Sequence, residues 1–130
     1  MGFRPMRIVK RGIGFSTSLC LALCLGTPGM AQAYTDEQLA TAIWYSEGGS
    51  RTAHPYGILS VKVSGAEEAR RVCLNTIRNN RVRWQKAGAK GDYLEFLANR
   101  YCPVGAENDN GSNKYWLRNV RHFLNRQKEA

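Results

Sequence analysis

An acid-free basic head followed by an apolar core constrains this chain first, because it divides the 130 residues into a leader and a short remainder. Arg4, Arg7, Lys10 and Arg11 precede an apolar stretch from Ile13 to Leu25, the basic and hydrophobic regions of a secretory signal peptide. Gly26, Pro28 and Gly29 break the run, and Ala31-Gln32-Ala33 places small residues at the −3 and −1 positions of a cleavage site. The pattern predicts a signal peptide over 1–33 and a single domain over 34–130. A membrane span takes about 20 apolar residues, and this core is shorter and interrupted by Gly14, Ser16 and Ser18. The expected location is secreted or periplasmic, with no stable membrane insertion after cleavage.

The remainder is short enough that its hydrophobic core is small and a covalent staple would help. Of nineteen basic and ten acidic residues, the leader takes four bases and no acid, leaving fifteen against ten, or a net charge of +5. That charge suits an anionic polymer or surface; export argues against nucleic acid. Cys20 and Cys24 leave with the leader, so Cys73 and Cys102 remain. In an oxidising compartment two cysteines are most simply one disulfide, closing a loop of roughly 30 residues and contributing on the order of 3 kcal/mol. The alternative is two buried free thiols. His54 and His122 are far apart and no C-x-x-C occurs, so neither a metal nor another cofactor is expected.

Helix signals punctuate the rest. Thr35-Asp36-Glu37-Gln38 has the form of a capping box, and Leu39, Ala40, Ile43 and Trp44 follow at helical spacing, predicting a first helix to about Glu47. Gly48-Gly49 stops it. The alternating Tyr56 to Val63 stretch predicts a strand or extended loop. Ser64-Gly65-Ala66-Glu67 resembles a second capping box, opening a long helix with Ala66, Ala69, Cys73, Ile77 and Trp84 inward and Arg70, Arg71, Arg78 and Arg81 on a solvated face. Asp92 caps a third helix, with Tyr93, Phe96, Leu97 and Tyr101 inward, that ends at Pro103. After a loop rich in Asn and Gly, Ser112 or Asn113 caps a fourth with Trp116, Val120, Phe123 and Leu124 on one face. The fold class is mainly α, with one short extended segment after the first helix.

Glu47 is the most informative residue of this domain. A carboxylate in the last turn of a helix meets the carbonyl end of the dipole, and here it has Trp44, Tyr45 and Tyr56 nearby in sequence. Both influences raise a carboxyl pKa toward the range of a general acid working near neutral pH.

Glu47-Gly48-Gly49, a polar spacer and Pro55-Tyr56-Gly57-Ile58-Leu59-Ser60 resemble the catalytic-glutamate segment of lysozyme-like lytic transglycosylases. In that family a glutamate ends a helix, and a Gly-apolar-apolar-Gln turn follows about ten residues later. Arg100-Tyr101-Cys102-Pro103 and Asn113-Lys114-Tyr115-Trp116-Leu117-Arg118-Asn119-Val120 are similar to the family's Tyr-containing loop and its Asn-Tyr-Val final helix. The chain differs in carrying Gly48 where the family has Ser, and Ser60 in place of the sugar-binding glutamine. The resemblance implies a small lysozyme-like helical domain over 34–130. It also implies a monomer acting on peptidoglycan glycan strands, at the bond between N-acetylmuramic acid and N-acetylglucosamine.

By the same resemblance Glu47 is the catalytic residue and Ser60 a substrate contact. Tyr56, before the turn, and Tyr101, at a helix end, are the aromatics placed to line a glycan groove. A hydrolytic lysozyme ordinarily needs a second carboxylate, for which Asp92, Glu107 and Asp109 are the candidates. The competing expectation is a non-catalytic module of the same fold that binds wall glycan or a secretion-apparatus partner.

Overall fold

The computed structural model of the protein describes residues 34–130; the expected signal peptide lies outside the described residues. Four helices follow in chain order: α1 Asp36–Ser46, α2 Ala66–Lys86, α3 Tyr93–Tyr101 and α4 Asn113–Glu129. Two short 3-10 turns, Gly49–Arg51 and Pro55–Gly57, lie between α1 and α2. Among the described residues there is no strand. The mainly helical expectation holds, and the segment expected to be a strand or extended loop is a 3-10 turn followed by irregular chain. No helix of the described residues is long and apolar enough to cross a membrane.

Helix α1 begins at the expected capping box: the Thr35 side chain accepts from the Gln38 amide at 3.1 Å, and the Gln38 side chain accepts from the Thr35 amide at 3.0 Å. Two orphan amides of the helix start are thereby satisfied. Asp92 caps α3 by accepting from the Leu94 amide at 2.9 Å. The α2 start differs from expectation. Gly65 is its cap residue and offers no side chain, and the Ser64 amide and hydroxyl both donate to Glu68, each at 2.7 Å. The acid that engages Ser64 lies one residue beyond the one expected. At α4, Ser112 makes no side-chain cap bond; the Asp109 carboxylate accepts from the Asn113 amide instead, at 3.2 Å.

Leu39, Ala40, Ala42 and Ile43 of α1 pack with Ala69, Cys73 and Ile77 of α2, Leu94 and Leu97 of α3, and Trp116, Val120 and Leu124 of α4. Burying a Leu or Ile side chain is worth about 1.5–3 kcal/mol, so this set supplies the main drive to fold. Ala66 is exposed and Trp84 only half-buried, so the α2 stripe is narrower than its periodicity suggests. The amide of Gln127 donates to the carbonyl of Gln38 at 3.2 Å, and Trp116 meets Glu47. These two contacts set α1 and α4 antiparallel.

The basic face of α2 does more than face solvent. Arg81 bonds to Asp36 at 2.9 Å and to the Tyr34 carbonyl at 3.0 Å, and its guanidinium lies 4.2 Å from the centre of the Tyr93 ring. Arg70 pairs with Glu37. The acids that favour the start of α1 thus also bind it to α2.

The expected disulfide is replaced by two free thiols. Cys73 is buried in α2, while Cys102 is the half-buried cap residue ending α3.

Candidate active site

Glu47 is the cap residue that closes α1, its amide donating to the Ile43 carbonyl at 3.0 Å. Gly48 and Gly49 then take left-handed conformations, φ +101 and +60, which glycine adopts without penalty. A Cβ on Gly49 would lie 3.2 Å from the Trp44 ring. The glycine pair therefore turns the chain sharply while keeping it against α1.

The Pro55–Gly57 turn brings the backbone back to the glutamate. Tyr56 is left-handed, φ 59 and ψ 17, a conformation costing a non-glycine residue of order 1–3 kcal/mol. The Tyr101 hydroxyl holds it there by donating to the Tyr56 carbonyl at 2.6 Å. Gly57 follows with φ +65, so close to the glutamate that a Cβ would sit 2.7 Å from Glu47 Cδ, 2.8 Å from Oε2 and 3.0 Å from Oε1. All three carboxyl atoms are nearly equidistant from that point. Gly57 therefore covers the flat face of the carboxyl, which no residue with a side chain could do.

From α4, Trp116 Nε1–H donates to Glu47 Oε1 at 3.0 Å. The Trp116 ring is 4% exposed and stacks on Tyr101 with centroids 5.3 Å apart and planes inclined by 25°. Glu47 thus has a glycine backbone, an indole and the phenol behind it on these sides, and the residue as a whole is half-buried. Burial raises its pKa, and the weaker opposing influence is the Trp116 hydrogen bond, which favours the charged form. The direction matches the sequence expectation, but desolvation is the leading cause. Burial also pushes the Tyr101 phenol far above its ordinary pKa, so it remains a donor at every working pH.

Tyr56 and Tyr101 meet at the turn beside Glu47, where the hydroxyl of one bonds the backbone of the other. Tyr56 is 5% exposed, so its ring belongs to the core rather than to a sugar-binding wall. Tyr101 spends its hydroxyl on the Tyr56 backbone. Ser60 is exposed in the irregular chain beyond the turn. Among the candidate second acids, Asp92 caps α3 and pairs with Arg121 at 2.6 Å. Asp109 accepts from the amides of Gly105 and Gly111, both at 2.8 Å, and of Asn113; these backbone donors hold its carboxyl below the usual range. Glu107 is exposed. Two hollows of about 280 and 270 Å³ lie elsewhere, one among Arg70, Arg71 and Arg78, the other between Tyr45 and Phe123; neither is lined by Glu47.

Trp116 and Gly57 are the site residues that sequence reasoning missed. Trp116 reads as core by its helical spacing, yet a buried indole also carries an N–H that needs a partner, and that need was the available signal. No protein-family model, no curated protein and no solved structure matches the chain.

Proposed function

We propose that this protein is an exported lytic transglycosylase of the lysozyme-like kind, cleaving peptidoglycan glycan strands with Glu47 as its single acid and base. One observation carries the reading: a half-buried glutamate, its pKa raised by burial, is held by a tryptophan N–H against a glycine backbone. A carboxyl so placed keeps its proton to higher pH than a free one and has an N–H aligned on its charged form, as general acid–base work requires.

In the proposed reaction neutral Glu47 gives its proton to the glycosidic oxygen as the bond to C1 of N-acetylmuramic acid breaks. The carboxylate then takes the proton of the muramic 6-hydroxyl while O6 closes on C1. The products are an anhydromuramic end and a free 4-hydroxyl, and Glu47 is protonated again. No second carboxylate enters. Hydrolysis by the usual two-carboxylate routes is less well supported, because Asp92 and Asp109 are committed to caps and loop amides. The +5 charge of residues 34–130 favours encounter with an anionic wall polymer.

The test is digestion of purified sacculi with mass analysis of the soluble fragments. Anhydromuramic ends are expected, and Glu47→Gln should abolish them. Reducing ends in their place would indicate a hydrolase. Sedimentation with sacculi and no release of fragments would leave a binding module of the same fold.

A further inference from the structure

We infer that Trp116 is the positioning residue of this site: its indole N–H fixes the Glu47 carboxyl so that Oε2 is the oxygen that gives and takes the proton. The inference rests on Glu47 being the acid and base proposed above.

An indole N–H donates and never accepts. Oε1, bonded to Trp116 at 3.0 Å, is therefore an acceptor in both protonation states of the glutamate, and the proton of the neutral acid belongs on Oε2. The terminal torsion of a glutamate is broad and nearly two-fold, so an unheld carboxyl would exchange its oxygens freely. Here Gly57 covers the carboxyl face and Trp116 holds the Oε1 edge, which fixes Oε2 as the oxygen without that donor.

The holder is itself held. Trp116 is buried and stacked on Tyr101, and Tyr101 is anchored to the Tyr56 carbonyl. The same carbonyl group belongs to the residue that delivers Gly57. Donor and covering backbone are thus fixed by one tyrosine, and proton-transfer geometry of this kind is sensitive to displacements of about 1 Å, which can cost roughly 100-fold in rate. The N–H also opposes the desolvation of the carboxylate, easing the proton loss with which the two-step reaction begins.

The test reads the indole signals of the wild-type protein by nitrogen–proton NMR across a pH titration, beside the Glu47 carboxyl carbon. The Trp116 signal should titrate with the midpoint of Glu47 and become flat in Glu47→Gln. Trp84, whose N–H donates to the Lys90 carbonyl at 3.2 Å, should stay flat throughout. In Trp116→Phe, which retains a ring against Tyr101, the Glu47 midpoint should move to higher pH. Turnover of a soluble glycan fragment by this variant should fall about 10-fold or more, with KM changed less than twofold and the alkaline limb of the rate profile moved upward. A Trp116 signal indifferent to Glu47 overturns the inference whether or not the variant folds. So does a folded Trp116→Phe protein with wild-type turnover and pH profile. If the signals co-titrate in a wild-type protein that cuts no glycan, the hold on Glu47 stands and the catalytic reading fails.

Discussion

The Tyr101 hydroxyl donates to the Tyr56 carbonyl at 2.6 Å, across 45 residues of sequence, and so keeps a left-handed tyrosine in place beside Glu47. Removing that donor leaves a buried carbonyl short of its partner and an unfavourable backbone conformation without its clamp. Tyr101→Phe retains the ring that stacks on Trp116 and should lower stability by about 1–3 kcal/mol. Urea denaturation would report it as an earlier midpoint with an unchanged slope. Activity should fall as well, because Gly57 follows directly on Tyr56.

Gly57 and Gly48 separate backbone strain from site geometry. Both have positive φ, but a Cβ on Gly57 meets the Glu47 carboxyl at 2.7 Å, whereas one on Gly48 meets the Thr52 side chain no nearer than 3.5 Å. Gly48→Ala should therefore cost stability, of order 1–3 kcal/mol, and leave the pH profile of the surviving activity in place. Gly57→Ala carries the same strain and must also displace the carboxyl. Its activity should fall at least 100-fold, measured as fragment release from sacculi at a temperature where thermal melts show both variants folded.

The starts of α1 and α3 were the most legible parts of the chain. Thr35 with Gln38, and Asp92, act through neighbours two or three residues away, so local pattern suffices to find them. Glu47 was visible for the same reason, as an acid just ahead of two glycines. What remained hidden depends on distant partners. The turn at Tyr56 is stabilised from α3, and the Trp116 bond to Glu47 spans 69 residues; neither leaves a periodic trace in sequence. The alternation from Tyr56 to Val63 suggested extended chain because period alone does not register the clamp that bends it. Export chemistry suggests a disulfide, whereas both thiols are free, Cys73 buried and Cys102 only partly so; counting cysteines does not register how each is packed.

The two thiols differ enough to be told apart chemically. Burial pushes Cys73 up to about 12 and Cys102 up to about 11, so both are protonated at neutral pH and neither is a ready nucleophile. Cys73 is fully buried and Cys102 only partly. Iodoacetamide at pH 8 without reductant should label Cys102 slowly in the folded protein and Cys73 only after denaturation. Peptide mapping by mass spectrometry resolves the two. A Cys73–Cys102 disulfide would instead give no label on either until a reductant is added.

Glu47 also makes a prediction about stability, with a definite sign. Its folded pKa lies above its ordinary value of 4.5, chiefly through burial, so the folded state binds the proton more tightly than the unfolded one. Stability must then fall as pH rises from about 4.5 through the folded pKa, the reverse of a salt-bridged carboxylate. Glu47→Gln keeps an oxygen to accept from Trp116 and removes the ionisation. Melting curves of the two proteins should converge near pH 4 and separate toward pH 7, with the variant the more stable. A gain of about 1 kcal/mol would register as roughly 4–8 °C in Tm for a domain of this size. Coincident curves at both pH values would mean that burial exacts no penalty from the charged form. The expected divergence, alongside lost cleavage, identifies a carboxyl kept in an unfavourable place for the sake of its proton.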